Sequence, residues 1–112
     1  EANPKIVDDW ITHRIETPLD AQGYQAQLAI GLSLSTLEAC FEPRLKEIQA
    51  PTLILFGEYD KVVPPGNAEL LGREIGDSKT VILPGAGHFF PLEVPEAANE
   101  AIINFLNEYP AG

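Results

Sequence analysis

Pro51-Thr52-Leu53-Ile54-Leu55-Phe56-Gly57-Glu58-Tyr59-Asp60 is the stretch on which the reading of the fold turns. Residues 52–56 are continuously apolar with no alternation, the pattern of a parallel strand covered on both faces. Gly57 ends the run, and Pro64-Pro65-Gly66 blocks an immediate return to regular structure. Asn67 is placed to cap a helix burying Leu70, Leu71 and Ile75, and Gly76 to close it. Lys79-Thr80-Val81-Ile82-Leu83 reads as a second strand. After a Gly- and Pro-bearing loop over 84–94, Pro95 opens a last helix with Ala98, Ile102, Phe105 and Leu106 on its inner face. Strand, helix, strand, helix predicts an α/β class built on two parallel strands with flanking helices and a right-handed crossover.

Working back towards the N-terminus, no strand signal is found in the first fifty residues. Asn3-Pro4 opens a helix over residues 4 to about 15, with Ile6, Val7, Trp10 and Ile11 at helical spacing. Thr17-Pro18 breaks it. Asp20 is a cap for a second helix lined by Tyr24, Leu28 and Leu32, and a short helical turn carries Phe41, Leu45 and Ile48. The expected division is a helical segment, 1–50, followed by a βαβα segment, 51–112.

Chemistry gathers beyond the carboxyl ends of strands in open α/β sheets. Asp60 lies four residues past Phe56 and His88, in Gly85-Ala86-Gly87-His88, five past Leu83. Both are therefore expected at one edge of the sheet, on neighbouring strands about 4.8 Å apart. In that arrangement Asp60 accepts the Nδ1 proton of His88 and leaves Nε2 as a base, two thirds of a nucleophilic triad. Gly85 and Gly87 are the residues expected to turn the imidazole back over the sheet with φ above zero. Tyr59, Phe89 and Phe90 are candidates for the wall of an apolar pocket, although paired aromatics more often belong to the core. Glu93 is placed to hold the histidine loop, and Glu58 is a conceivable substitute for Asp60.

These words resemble a known family. Residues 51–106 are similar to the C-terminal strands and helix of the α/β-hydrolase superfamily. The likeness is carried by the 51–60 stretch with Val62-Val63-Pro64, by Gly85-Ala86-Gly87-His88 with Glu93-Val94-Pro95, and by Ile102-Ile103-x-Phe105-Leu106. Asp before His is the family order after its nucleophile. Residues 1–50 are similar to the end of the family's helical cap. The resemblance implies hydrolysis of a carboxylic ester by a Ser-His-Asp mechanism, with Asp60 and His88 catalytic. Esterases and lactone or methyl-ester hydrolases are nearest in kind. It implies no cofactor and no metal.

The family's early strands, oxyanion loop and Gly-x-Ser-x-Gly elbow should all precede this segment. Gly31-Leu32-Ser33-Leu34-Ser35 lacks only the last glycine of that elbow, but it falls on a helical face, follows no strand and stands too close to Pro51. Cys40, between Ala39 and Phe41, reads as a buried thiol without an activating charge, and His13 as a helix-surface residue. The nucleophile is thus expected outside these residues, and the chain alone is expected to be inactive. The alternatives are a dehalogenase or epoxide hydrolase with a carboxylate nucleophile, and a non-catalytic interaction module.

Composition narrows the partners. Seventeen acidic residues against seven Lys and Arg give a net charge of −10, which argues against nucleic acid and anionic membranes. One cysteine cannot form an internal disulfide, and no apolar run reaches spanning length. With no signal pattern at the N-terminus, the cytoplasm is the expected compartment. The absence of methionine, even at position 1, is what a chain cut from a longer one would show. The expected partners are a small ester-like substrate and either the remaining half of the hydrolase or a second copy, paired along an exposed strand edge.

Overall fold

The computed structural model describes residues 4–18, 20–33 and 41–109. The chain divides into two compact units, Pro4–Arg44 and one built on Leu45–Gly112.

The first unit holds α1 (Pro4–Glu16) and α2 (Ala21–Ser33). Asn3, the expected cap of α1, lies outside the described residues. At the other end of α1 the amide and the hydroxyl of Thr17 both donate to the His13 carbonyl, and Pro18 cannot continue the ladder. Asp20 caps α2 as expected, its Oδ1 accepting the Gly23 amide at 2.8 Å. Neither helix buries a residue. Ile6 is half-buried, but Val7, Trp10 and Ile11 are exposed, and Tyr24, Leu28 and Leu32 more so. The apolar spacing is right for helices, yet it marks no buried face here. The expected turn after α2 is a 3-10 turn, Glu42–Glu47, with Leu45 half-buried and Phe41 and Ile48 exposed.

The second unit contains β1 (Thr52–Gly57), α3 (Gly66–Glu74), β2 (Ser78–Leu83), the single turn α4 (Phe90–Glu93) and α5 (Pro95–Glu108). The strands are parallel, in register from Thr52 opposite Ser78 to Gly57 opposite Leu83. α3 lies against the face bearing Ile54 and Thr80. A Cβ on Gly72 would stand 3.1 Å from Thr80 Oγ1 and 4.0 Å from Ile54 Cδ1, so the glycine lets helix and strands approach. The other face carries the core cluster Leu83, Ala86 and Ala98, joined by Leu55, Val81, Phe90 and Val94. Helices cover both faces, as the unbroken apolar run predicts. Only Ile54 and Gly57 of β1 are fully buried, because each strand has one hydrogen-bonded neighbour in this two-stranded sheet.

Three local expectations are corrected. Asn67 does not cap α3: Pro65 occupies the cap position in right-handed helical conformation (φ −63°, ψ −15°) with no side-chain cap bond. The two prolines bring the chain into the helix early, so Asn67 sits in the first turn and donates through both its nitrogens to the Pro64 carbonyl. Gly76 supplies no left-handed turn; α3 ends at Ile75, which is extended and buried, and the chain bends through residues 75–77 into β2 without a positive φ. On α5 the inward stripe is Ala98, Ala101 and Phe105, with Ile102 and Leu106 exposed. Ala98, only 2 % exposed, lets the helix sit close, and the stripe follows from that contact.

Candidate active site

The site begins at Gly57. A Cβ there would lie 2.2 Å from the Gly87 carbonyl oxygen and 2.6 Å from that of Ala86, so no other residue fits without moving backbone. This contact brings the turn after β1 against the turn after β2. Glu58 N–H donates to the Leu83 carbonyl at 3.0 Å and Tyr59 N–H to the Ala86 carbonyl at 2.8 Å. The Glu58 carboxylate accepts the Gly85 amide at 2.8 Å. Gly85 takes φ +72°, the one positive φ among the described residues. The expectation of a second left-handed glycine at Gly87 is therefore corrected; Gly87 is needed for room, not for φ.

Between these turns Asp60 is buried, 6 % exposed. Its Oδ1 accepts the amides of Val62 and Val63, each at 2.8 Å. Its Oδ2 meets His88 Nδ1 at 2.9 Å. With one carboxylate oxygen taken by two backbone donors, the other is aimed at the imidazole. Burial pushes the Asp60 carboxyl up, but the hydrogen bonds from His88, Val63 and Val62 outweigh it and hold the group below its ordinary value. An ionised Asp60 makes Nδ1 the protonated nitrogen of a neutral His88. Nε2 makes no hydrogen bond among the described residues, and the side chain is 40 % exposed.

The remaining candidates divide. Phe89 is exposed and stands edge-on to the His88 ring, centroids 5.6 Å apart at 71°. Tyr59 is exposed, while Phe90 is half-buried and packs in the core cluster. A cavity of about 260 Å³ lies between β2 and α5, lined by Lys79, Val81, Leu83, Ala97, Glu100, Ala101 and Asn104, so none of the three aromatics borders it. Glu58 is occupied with Gly85, and does not replace Asp60 beside the histidine. Ser33 is the last residue of α2 and its hydroxyl donates to the Ile30 carbonyl; Leu34, Ser35 and Cys40 lie outside the described residues. His13 is exposed on α1. Among the described residues no group of three or more His, Cys, Asp or Glu is arranged to hold a metal ion. Nor is any helix there long and apolar enough to cross a membrane. What residue patterns did not reveal is the pair of Val62 and Val63 amides that pins Asp60. Their signal was Asp60 itself, since an Asp in a turn commonly accepts the amide two residues on.

Known proteins resemble this chain in sequence and fold. The family described as alpha/beta hydrolase fold matches residues 10–95. A 2-hydroxy-6-oxononadienedioate/2-hydroxy-6-oxononatrienedioate hydrolase of Klebsiella pneumoniae is 39% identical over 66 residues, 59% of this chain and 23% of that protein. A serine hydrolase involved in carbazole degradation superposes with a TM-score of 0.75 at 30% identity, covering 90% of this chain and 40% of that one. A thermophilic esterase from Thermogutta terrifontis gives a TM-score of 0.59 at 37% identity, over 61% of this chain and 25% of the esterase. The chain thus spans about a quarter of the hydrolase relative's length. Parallel strands under helices on both faces, an acid and a histidine joined beyond their carboxyl ends, and a match over most of the sequence have one meaning: the chain belongs to the alpha/beta hydrolase fold family.

Proposed function

We propose that this chain supplies the acid and the base of an ester hydrolase whose nucleophile is a serine outside these 112 residues. The observation that carries the reading is the 2.9 Å contact between Asp60 Oδ2 and His88 Nδ1, with Asp60 Oδ1 pinned by two amides. Asp60 orients the imidazole and stabilises the imidazolium. His88 Nε2 takes the proton of the serine hydroxyl as it attacks the ester carbonyl, then returns it to the departing alcohol. Water repeats the cycle to release the acid. The serine-hydrolase neighbour and the esterase support a serine nucleophile and an ester substrate. Phe89, exposed and edge-on to the histidine ring, and Tyr59, exposed and next to Asp60 in sequence, are the proposed contacts for the substrate's apolar part.

Among the described residues β1 pairs with β2 alone. Its other edge is the proposed seat of the remaining part of the hydrolase or of a second copy. Sedimentation showing a stable monomer at high concentration would count against the second copy.

The direct test is intact-mass analysis after treatment with a fluorophosphonate. No adduct is expected on this chain; labelling at Ser33 would place the nucleophile within it and overturn the assignment. In a protein that joins this segment to an elbow-bearing half, His88→Ala should lower kcat by about 10³-fold or more. Unchanged turnover would refute the role of His88.

A further inference from the structure

His88 is held by more than Asp60. One carboxylate binds the amides of both residues that flank it: Gly87 N–H donates to Glu93 Oε2 at 2.8 Å and Phe89 N–H to Glu93 Oε1 at 3.1 Å. The Phe89 carbonyl in turn accepts the Glu93 amide at 3.0 Å, so the two residues grip each other twice. We propose that Glu93 is a positioning residue, whose carboxylate fixes the backbone on either side of His88 and thereby the direction of Nε2. The proposal deepens the assignment of His88 as base and rests on it.

The physical case has three parts. First, the Gly87 and Phe89 amides lie just ahead of the single turn α4, outside any helix or strand ladder, and a side-chain carboxylate is a strong, charge-assisted acceptor for them. Second, room is kept for it. A Cβ on Gly87 would stand 3.2 Å from Oε1 and 3.4 Å from Oε2, tighter than side chains ordinarily pack. Third, Glu93 is itself anchored. Val94, next in sequence, packs in the core cluster and its carbonyl accepts the Ala98 amide at the start of α5. The carboxylate therefore ties the two peptides around His88 to the packed core of the unit. Asp60 sets the ring from the β1 side and Glu93 sets its backbone from the α5 side.

Two acceptor oxygens are required, which makes Gln an informative variant: its single carbonyl oxygen can serve one amide while its NH₂ group opposes the other. The test uses the intact chain and two measurements. Long-range ¹H–¹⁵N correlation of the His88 ring reads the tautomer, and hydrogen exchange reads the Gly87 and Phe89 amides. In the wild-type chain His88 should be protonated on Nδ1. In Glu93→Ala the ring should move towards a mixture of tautomers, and both amides should exchange about tenfold faster or more. In Glu93→Gln one amide should lose protection and the other keep it. Glu69→Gln, on the exposed face of α3, should change neither reading.

A folded Glu93→Ala chain with the wild-type tautomer and protection overturns the proposal. Should that variant fail to fold, Glu93→Gln decides, and wild-type exchange at both amides overturns it equally. A wild-type ring lacking the Nδ1 proton would instead defeat the assignment of His88 as base, a separate failure.

Discussion

The two units of this chain have similar apolar patterning and opposite outcomes. α1 and α2 carry Val7, Trp10 and Ile11, and Tyr24, Leu28 and Leu32, at helical spacings and bury none of them, whereas the unit around β1 and β2 buries Ile54, Ala68, Ile75, Leu83, Ala86 and Ala98. Half of those six are alanines. Small residues at close approaches, more than large ones at the right period, mark where this protein is tightly made. The difference also explains where the chemistry sits. Asp60 and His88 meet at the edge of the unit that buries its side chains.

The largest blow to that contrast should come from Gly57→Ala. The new methyl would overlap backbone oxygens that have no rotamer to escape into. Thermal or urea melts should show a loss of about 3 kcal/mol or more, with the His88 contact gone. Ile54→Ala, removing a side chain only 4 % exposed, should follow at about 3 kcal/mol in the same assay.

Asp60→Asn sharpens the comparison through pH. Asp60 titrates lower when folded than its unfolded value of about 3.9. Its contribution is therefore complete above about pH 4 and is lost as pH falls through the folded value. Melts should show the gap between wild type and Asp60→Asn wide at neutral pH, narrowing below about pH 4 and closing in stronger acid. A gap independent of pH would show that the carboxylate's charge is not what matters.

Leu28→Ala, on the half-exposed face of α2, should change stability by less than about 1 kcal/mol. A loss as large as that of Ile54→Ala would break the contrast between the units. The smallest effect is expected at Lys79, whose ammonium meets Glu108 at the surface. Lys79→Ala should cost about 0.5 kcal/mol or less and be insensitive above moderate salt.

The legible features were those set by local rules. An unbroken apolar run, a Pro-Gly break and a second run dictate βαβ, and counting from each strand end places Asp60 and His88 at one edge of the sheet. Asp20 announced itself as a cap because an Asp before a helix has a nearby amide to bind. Asn67 misled for a related reason: its type suits a cap, but Pro64-Pro65 had already committed the backbone to the helix. Ile102 and Leu106 misled because periodicity names a face without saying how wide a strip of it the sheet can cover.

By itself, then, the order of residues determined the parallel pair, its helices and which carboxylate would meet which imidazole, since these depend on period, chain reach and turn chemistry within a few positions. Only the tertiary structure decided how firmly they meet. The backbone contact at Gly57, the Glu58 carboxylate on the Gly85 amide and the meeting of Asp60 with His88 join segments across a packed interface. Distances of that kind follow from how close two backbones can approach, a property of the packed pair that neither segment possesses alone.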